Sequence, residues 1–558
     1  MEGDQLLLNP TSGHQYSPRN ARSTSTESNS SPDETEPCRG GGQALTFDQV
    51  LTRIGVGRFH LPTIAVLGLG NAADAVEIMS IGYALTAYPH ITSFERGFLT
   101  AAIFAGMLVG GLVLGTLADR IGRKPALLLS LGINGAAALL SAFSPHVSVL
   151  IGLRIVAGIG VGGSVPCVFT LAAEVTPPHH RGALLNAVAW MWMAGSLFAA
   201  GTAWYVIEHL GLSWRVYLAI ASAPATICLV LTSIVVPESP RWLYKRGRLD
   251  AAIAVLRTMA RKNRVDASWL EEALPAPVSA FPIIGSDDGA EAARLSINGI
   301  VSAAAETKDE RPHRPLKASS APDASLVSSN AAVKGIPYRE AFRALFEPNL
   351  RRTTALLMGV WFTLSFASYG LLVWIPTLFK DADFHIDPYQ NAILVAAANL
   401  PGNIVSWLLI DRLGRRKLLT GGTLMACGCA IGFALANRAW IVVLSACAFN
   451  MFGIMGWNSL DCLSTESFPT QIRSVGMGVM AASGRVGSMV AQFVNSALID
   501  SSTATILFVS ASSMLIGSAC AAMLPFEPAD AALADDLDEV DEDAAPHPHP
   551  LRSDQEAA

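Results

Sequence analysis

Two carboxylates, Asp74 and Glu77, stand three residues apart beside Asn71 in the middle of an apolar run. Ionisable groups in hydrocarbon cost several kcal/mol unless they face a cavity or a partner, and a spacing of three puts both acids on one helix face. Arg154, deep in another apolar run, is the expected counter-ion. At 1.5 Å per residue, Glu77, Asp74 and Arg154 all fall roughly 20–24 Å from the same membrane surface. Two acids facing one guanidinium leave a surplus carboxylate able to take up a proton, so the trio is a candidate coupling site. The structural reading is an ion pair that only locks two helices together. Aromatic side chains form a second constellation: Trp204, Trp361 with Tyr369 eight residues on, and Trp457 with Asp461 four residues on. Spacings of four and eight share a helix face. Indoles beside one carboxylate suit a sugar ring or an organic cation, although a Trp near a span end is commonly an interfacial anchor.

A third set of residues is charged and repeated. Asp119-Arg120-Ile121-Gly122-Arg123 and Asp411-Arg412-Leu413-Gly414-Arg415 each join two long apolar runs, as tight turns between membrane helices. Asp119 and Asp411 are 292 residues apart, and so are Glu174 and Glu466, and Arg181 and Arg473. Different landmarks at one offset identify two homologous halves in the same orientation, a parallel repeat about an axis along the membrane normal. Solvated loop charges contribute little individually. Their duplication, together with Glu238 and Arg241, points instead to a gate of inter-helix ion pairs that holds the protein closed on the turn side.

These residues need elements that can carry them through a bilayer. Of 558 residues 51% are apolar and 15% charged, with a mean hydropathy of +0.39, against about 25% charged residues in a soluble domain. Apolar segments long enough for ~30 Å of hydrocarbon run over 60–87, 97–117, 125–144, 147–172, 182–207 and 214–236. They resume over 352–379, 390–410, 418–437, 439–463, 475–499 and 503–525. The expected fold is an all-α membrane protein of twelve transmembrane helices in two parallel-repeat six-helix bundles. Basic turns at 118–125, 412–417 and 473 place both termini on the cytoplasmic side, in the plasma membrane or an intracellular vesicle.

The boundaries follow from composition. Residues 1–55 read as a disordered tail, 56–243 as the first bundle, 244–350 as a cytoplasmic loop and 351–525 as the second bundle. Within the loop, 247–263 has a helical apolar stripe and reads as a surface helix on the membrane, 275–335 as disordered, and 338–346 as a short helix. The tail 526–558 holds eleven acids and one Arg, so the rest of the chain is mildly basic; that excess sits in loops and is no nucleic-acid footprint. Gly158, Gly160 and Gly163 match a dinucleotide fingerprint only formally, since no strand precedes them; small residues there let helices approach closely. The cysteines, mostly inside apolar runs, read as core residues. No nucleophile–base set or metal-ligand spacing indicates an enzyme, a cofactor or a metal, and His547 and His549 lie in a polar tail.

The paired turns, the Arg154–Pro166 segment and Pro237-Glu238-Ser239-Pro240-Arg241 resemble the major facilitator superfamily on its sugar-porter side. More narrowly, the chain is similar to the synaptic vesicle glycoprotein 2 family. The matching stretches are 73–77, 162–166, 199–204, 361–374, 401–406 and 457–461, spread over nearly all of 55–525. The resemblance implies two rocking bundles and a midplane pocket, with ligand contacts carried onto Trp204, Trp361, Tyr369, Trp457 and Asp461. The vesicle glycoproteins carry a large luminal domain between spans seven and eight, where this chain has only about 381–389, so functions tied to that domain do not carry over. The expectation is a monomeric secondary transporter of a small polar solute, sugar-like or an organic ion, driven by alternating access and proton coupling through Asp74 or Glu77. The rival is a non-transporting membrane protein acting through partners of its loop and tails.

Overall fold

A computed structural model describes residues 45–88, 91–270, 274, 338–380, 387–469 and 471–525. The expected disorder of 1–44, 275–335 and the acidic tail falls outside the described residues. Among those described, the regular structure is helical throughout and no strand occurs.

The first half comprises α1 (Phe47–Ile54), α2 (His60–Thr86), α3 (Ser93–Ile121), α4 (Arg123–Ser141), α5 (Val147–Val175) and α6 (Pro178–Ala203). Helix α6 continues through one wide π turn, Trp204–His209, before α7 (Trp214–Ala221) and α8 (Ala223–Val235). Short helices α9 (Pro240–Lys245) and α10 (Leu249–Asn263) follow. The second half has α11 (Tyr338–Ala344), α12 (Arg351–Lys380), α13 (Pro388–Ala397), α14 (Asn399–Leu413), α15 (Arg415–Ala434), α16 (Ala439–Glu466), α17 (Arg473–Leu498) and α18 (Thr503–Ala522). With α7–α8 and α13–α14 each continuing as one rod, 11 helices are long and apolar enough to cross a membrane. Helix α17 is the remaining long one. Its Ser483, Gly484, Arg485, Ser488, Gln492 and Asn495 leave it less apolar than the rest.

Local chemistry sets the ends of these rods. Thr92 and Glu95 close a reciprocal capping box at the start of α3. The paired charged turns depend on Gly122 and Gly414, at φ 110° and 88°, a region that side chains with a Cβ avoid. Behind the first turn, the Glu238 carboxylate accepts from the backbone N–H of Arg123 at 3.0 Å and Lys124 at 3.2 Å, placing an anion on the positive end of α4.

Helices α3 and α5 share an extensive face. Gly106 and Gly110 lie under the carbonyls of Ile155 and Ile159, while Gly158 and Gly162 lie under those of Ile103 and Met107. A Cβ at any of these would strike backbone, so the glycine-rich stretch is a packing surface.

Two expectations are corrected on the side where the charged turns lie, hereafter the turn face. The tail does not stay irregular to residue 55, because Thr46 caps α1 with a full capping box. Eight residues are too few for an isolated helix, but Val50, Leu51 and Ile54 are buried against Ile253, Leu256 and Met259 of α10. Each such side chain contributes about 1.5–3 kcal/mol. Helix α10 therefore spends its apolar stripe on protein and not on lipid. Asn263 at its end accepts from Phe59 N–H at 3.0 Å and donates to the Gly55 carbonyl at 2.9 Å, tying α10 to the entry of α2.

On the opposite, far face the two halves touch directly. The hydroxyls of Thr86 and Tyr389 bond to each other, and Lys380 Nζ donates to the Thr86 carbonyl at 2.7 Å. Ser93 donates to Asp500 and its carbonyl accepts from Ser496. The rings of Phe98 and Phe493 meet edge to face at 5.0 Å, and Gly82 lies against the Val373 carbonyl. A single apolar cluster, including Tyr83, Phe104, Trp374 and Phe379, runs across both halves.

Candidate solute cavity and ion-pair network

Between the halves lies a cavity of about 240 Å³, lined from the first half by Asn71, Phe169 and Trp192 and from the second by Trp361, Tyr369, Trp457 and Asp461. Helix α12 brings Trp361 and Tyr369 to one wall, and α16 brings Trp457 and Asp461 to the next. The rings of Trp361 and Trp457 meet at 5.5 Å and those of Tyr369 and Trp457 at 5.7 Å, both edge to face. Trp361 is fixed further by its indole N–H, which donates to Ser464 Oγ at 2.9 Å. Trp192 closes the box against Tyr369 at 6.4 Å.

Trp204 is not part of this wall. It begins the wide turn at the end of α6, stacks on His209 at 6.1 Å and does not line the cavity. The π turn and the height of residue 204 near the far end of α6 carry its indole away. Trp192, about three helical turns earlier, occupies the place expected of it.

The cavity also holds residues that the spacing argument passed over. Arg485 of α17 sits with its guanidinium 5.7 Å from the Tyr369 ring centre. It is the cation whose field reaches both Asp461 and Asp74. Among the described residues neither Asp461 nor Arg485 has a hydrogen-bond or ion-pair partner. Asn399, Asn403, Asn450 and Asn458 line the same space, with Asn458 Nδ2 donating to Asn403 Oδ1 at 2.9 Å. The Ser368 hydroxyl, also in the lining, is buried without a partner.

Asp74, Glu77 and Arg154 are all buried, at 0%, 3% and 1% exposure, but they do not form one trio. Arg154 Nη1 pairs with Glu77 at 2.6 Å, and its other bonds go to Ser80 at 3.3 Å and Ser141 at 2.7 Å. Asp74, one helical turn nearer the turn face, has both oxygens on the Ser164 hydroxyl at 2.9 and 2.8 Å. The shared-counter-ion picture is corrected: Glu77 holds Arg154, and Asp74 is left with a neutral donor.

The charged turns form two matching triangles. Arg123 pairs with Asp119 at 2.9 Å and Glu174 at 3.4 Å; Arg415 pairs with Asp411 at 3.0 Å and Glu466 at 3.3 Å. Each triangle stays inside its own half, so these pairs fasten neighbouring helices of one half and do not close the turn face between halves. Arg181 and Arg241 both converge on Asp48 of α1. Glu238 caps α4, Arg473 Nε donates to the Phe468 carbonyl at 3.1 Å, and Arg120 and Arg412 are exposed. The expected inter-helix ion pairs are thus present, and each of them joins helices within one half. The hydrogen bonds between halves lie at the far face, and ring contacts of Trp192 and Phe104 with Tyr369 join the halves at the cavity.

Comparisons with known proteins agree with this architecture. The family profile described as Major Facilitator Superfamily matches residues 64–492 and 382–545. The chain is 25% identical to synaptic vesicle glycoprotein 2A of Bos taurus, over 86% of this chain and 79% of that one. It is 27% identical to organic cation/carnitine transporter 7 of Arabidopsis thaliana, over 89% and 97%. The xylose transporter XylE from E. coli, in a partially occluded inward-open conformation, superposes with a TM-score of 0.62 at 17% identity, covering 85% of this chain and all of XylE. With a duplicated all-helical fold, a cavity between its halves and a profile match along most of its length, this chain belongs to the Major Facilitator Superfamily, a family of membrane transporters and not of enzymes.

Proposed function

We propose that the protein is a secondary transporter that moves a small polar organic solute by alternating access. The observation that carries this reading is the cavity itself. It lies between two repeated halves that meet directly at the far face, and its wall combines an aromatic box with a few polar groups. That is the ordinary make-up of a small-molecule site at the position where rocking of two bundles would expose it to each side in turn. Residues 56–243 and 351–525 are the two moving units of this reading. Trp361, Tyr369, Trp457 and Asp461 contact the solute. The basic turns place the turn face in the cytoplasm, and the protein acts as a monomer in the plasma membrane or a vesicle membrane.

Proton coupling, if the solute moves with a proton, belongs to Asp74. Glu77 and Arg154 neutralise each other at 2.6 Å, and releasing either would leave a buried lone charge. Asp74 is hydrogen-bonded by the Ser164 hydroxyl, which can bond to the carboxylate and the acid alike, and the charges that reach it are those of Arg485 and Glu77, neither in direct contact with it. The names of the relatives, a carnitine and organic cation carrier and a xylose carrier, support a solute of this size.

The test is uptake into liposomes that hold the purified protein, assayed against a panel of sugars, organic cations and carboxylates. Uptake should show counterflow, being faster when the same solute is preloaded inside. A pH gradient should accelerate it, and Asp74→Asn should abolish that acceleration while leaving counterflow. Absence of counterflow for every solute would overturn the transport reading; an unaltered pH response in Asp74→Asn would overturn the coupling assignment alone.

A further inference from the structure

The cavity contains a guanidinium and a carboxylate that make no direct contact with each other. Arg485 and Asp461 both line it, and neither has an ion-pair or hydrogen-bond partner among the described residues, although the Arg485 charge is felt at Asp461 and at Asp74 behind the wall. Charges inside a membrane protein are expensive unless something compensates them. Here the scaffold keeps them apart: Arg485 is drawn over the Tyr369 ring, and Asp461 rises from α16 one turn beyond Trp457. A neutral sugar would leave both charges without a counter-charge. A simple cation would meet repulsion from Arg485, and a simple anion repulsion from Asp461. A solute carrying both signs gives each of the two groups a direct counter-charge.

We propose that the cavity selects a small zwitterion, its carboxylate held by the Arg485 guanidinium and its cationic nitrogen set against Asp461 and the faces of Trp361 and Trp457. The planar fork of arginine matches a carboxylate with two parallel N–H donors, and indole faces attract quaternary or protonated nitrogen. The cavity, about 240 Å³, has room for a small organic solute. This inference rests on the cavity of the transport reading and adds the charge of the substrate to it.

The experiment is calorimetric titration of the purified full-length protein with carnitine, glycine betaine and trigonelline, each against its methyl ester, a plain cation of nearly the same shape. At least one zwitterion should bind about 30-fold or more tightly than its ester, as expected when a desolvated charge loses its partner. Arg485→Gln should remove that preference, and Arg485→Lys should restore only part of it. Asp461→Asn should weaken the zwitterion while sparing a carboxylate without nitrogen, such as 3-hydroxybutyrate. Equal binding of zwitterion and ester, or binding of none of the three zwitterions, would overturn the proposal. Counterflow of a sugar or a plain cation beside either result would show that transport stands and the zwitterion assignment falls.

The 292-residue repeat carries a second, independent inference. Asp48, which gathers Arg181 and Arg241, lies 292 residues before Glu340, just as Arg181 lies 292 before Arg473. The two short helices α1 and α11 are thus counterparts, each standing ahead of the first long helix of its half. In the second half the pair is unmade: Glu340 is exposed, and one terminal nitrogen of Arg473 is buried with no partner. Helix α11 already touches α17. We infer that Glu340 closes onto Arg473 in another conformation of the transport cycle, so that α11 clasps α17 as α1 clasps α6. Glu340→Arg and Arg473→Glu should each slow uptake about fivefold, the scale of one partly exposed pair. The double swap should recover most of the rate, with melting temperatures unchanged by Glu340→Arg. Additive losses in the double variant would overturn the inference.

Discussion

Replacing Glu77 and replacing Asp74 should have very different consequences, although the two acids are three residues apart on one helix. Glu77→Gln removes the carboxylate that, among the described residues, is bound to Arg154, whose remaining bonds are to the hydroxyls of Ser80 and Ser141. Arg154 is 1% exposed, so a full charge would be left in a dry interior, at a cost of about 3–5 kcal/mol. Asp74→Asn keeps an acceptor for the Ser164 hydroxyl and changes little volume, so its cost should be about 1 kcal/mol, one neutral hydrogen bond. The double variant Glu77→Gln with Arg154→Gln should be more stable than Glu77→Gln alone, because neither charge then remains. Thermal unfolding of the four proteins in one detergent, followed by loss of monomer on size exclusion, ranks them. Equal shifts for Glu77→Gln and Asp74→Asn, or no recovery in the double variant, would refute the assignment of separate partners.

Other outcomes follow from the same contacts. Trp457→Ala, which opens the aromatic box, should weaken solute binding about tenfold, at about 0.5–2 kcal/mol per lost aromatic face; Trp204→Ala should leave the affinity unchanged in the same calorimetric titration. Gly158→Ala places a methyl against the Ile103 carbonyl and should lower the melting temperature and yield of folded protein, whereas Gly152→Ala, where nothing lies within 4 Å, should not. Asp48→Asn frees Arg181 and Arg241 together, but these groups are 33% and 26% exposed. Water should therefore limit the loss to about 1 kcal/mol, read as earlier proteolysis between α1 and α2.

The fold was largely legible because membrane helices announce themselves twice, by long apolar runs and by the charged turns joining them. The 292-residue offset added the symmetry, and the two Arg123 and Arg415 triangles now give that offset a physical meaning. What the runs could not convey is which face each residue presents. Trp204 and Trp192 lie on one continuous helical rod, and their heights along it, with the π turn at 204–209, decide which indole reaches the cavity. Arg485 was open to the rule that an intramembrane charge marks a functional site. It sits, however, among Ser, Gly and Gln in the least apolar of the long helices, where a charge draws less notice. Arg154 was correctly singled out as a counter-ion, but the depth argument placed Asp74 and Glu77 within one turn and so could not choose between them. Helix α10 shows the same limit: its stripe gives amphipathicity, and the existence of α1 as its partner is a tertiary fact.

The account turns on one motion, in which the far face opens as the turn face closes. Spin labels on Thr86→Cys and Tyr389→Cys at the far face, and in a second protein on Gly182→Cys and Gln471→Cys at the turn face, report the two gaps by pulsed electron double resonance. In lipid bilayers, with and without a transported solute, the far-face distance should lengthen in the same fraction of molecules in which the turn-face distance shortens. Distances that stay single and unchanged at both faces while solute is being carried would contradict it.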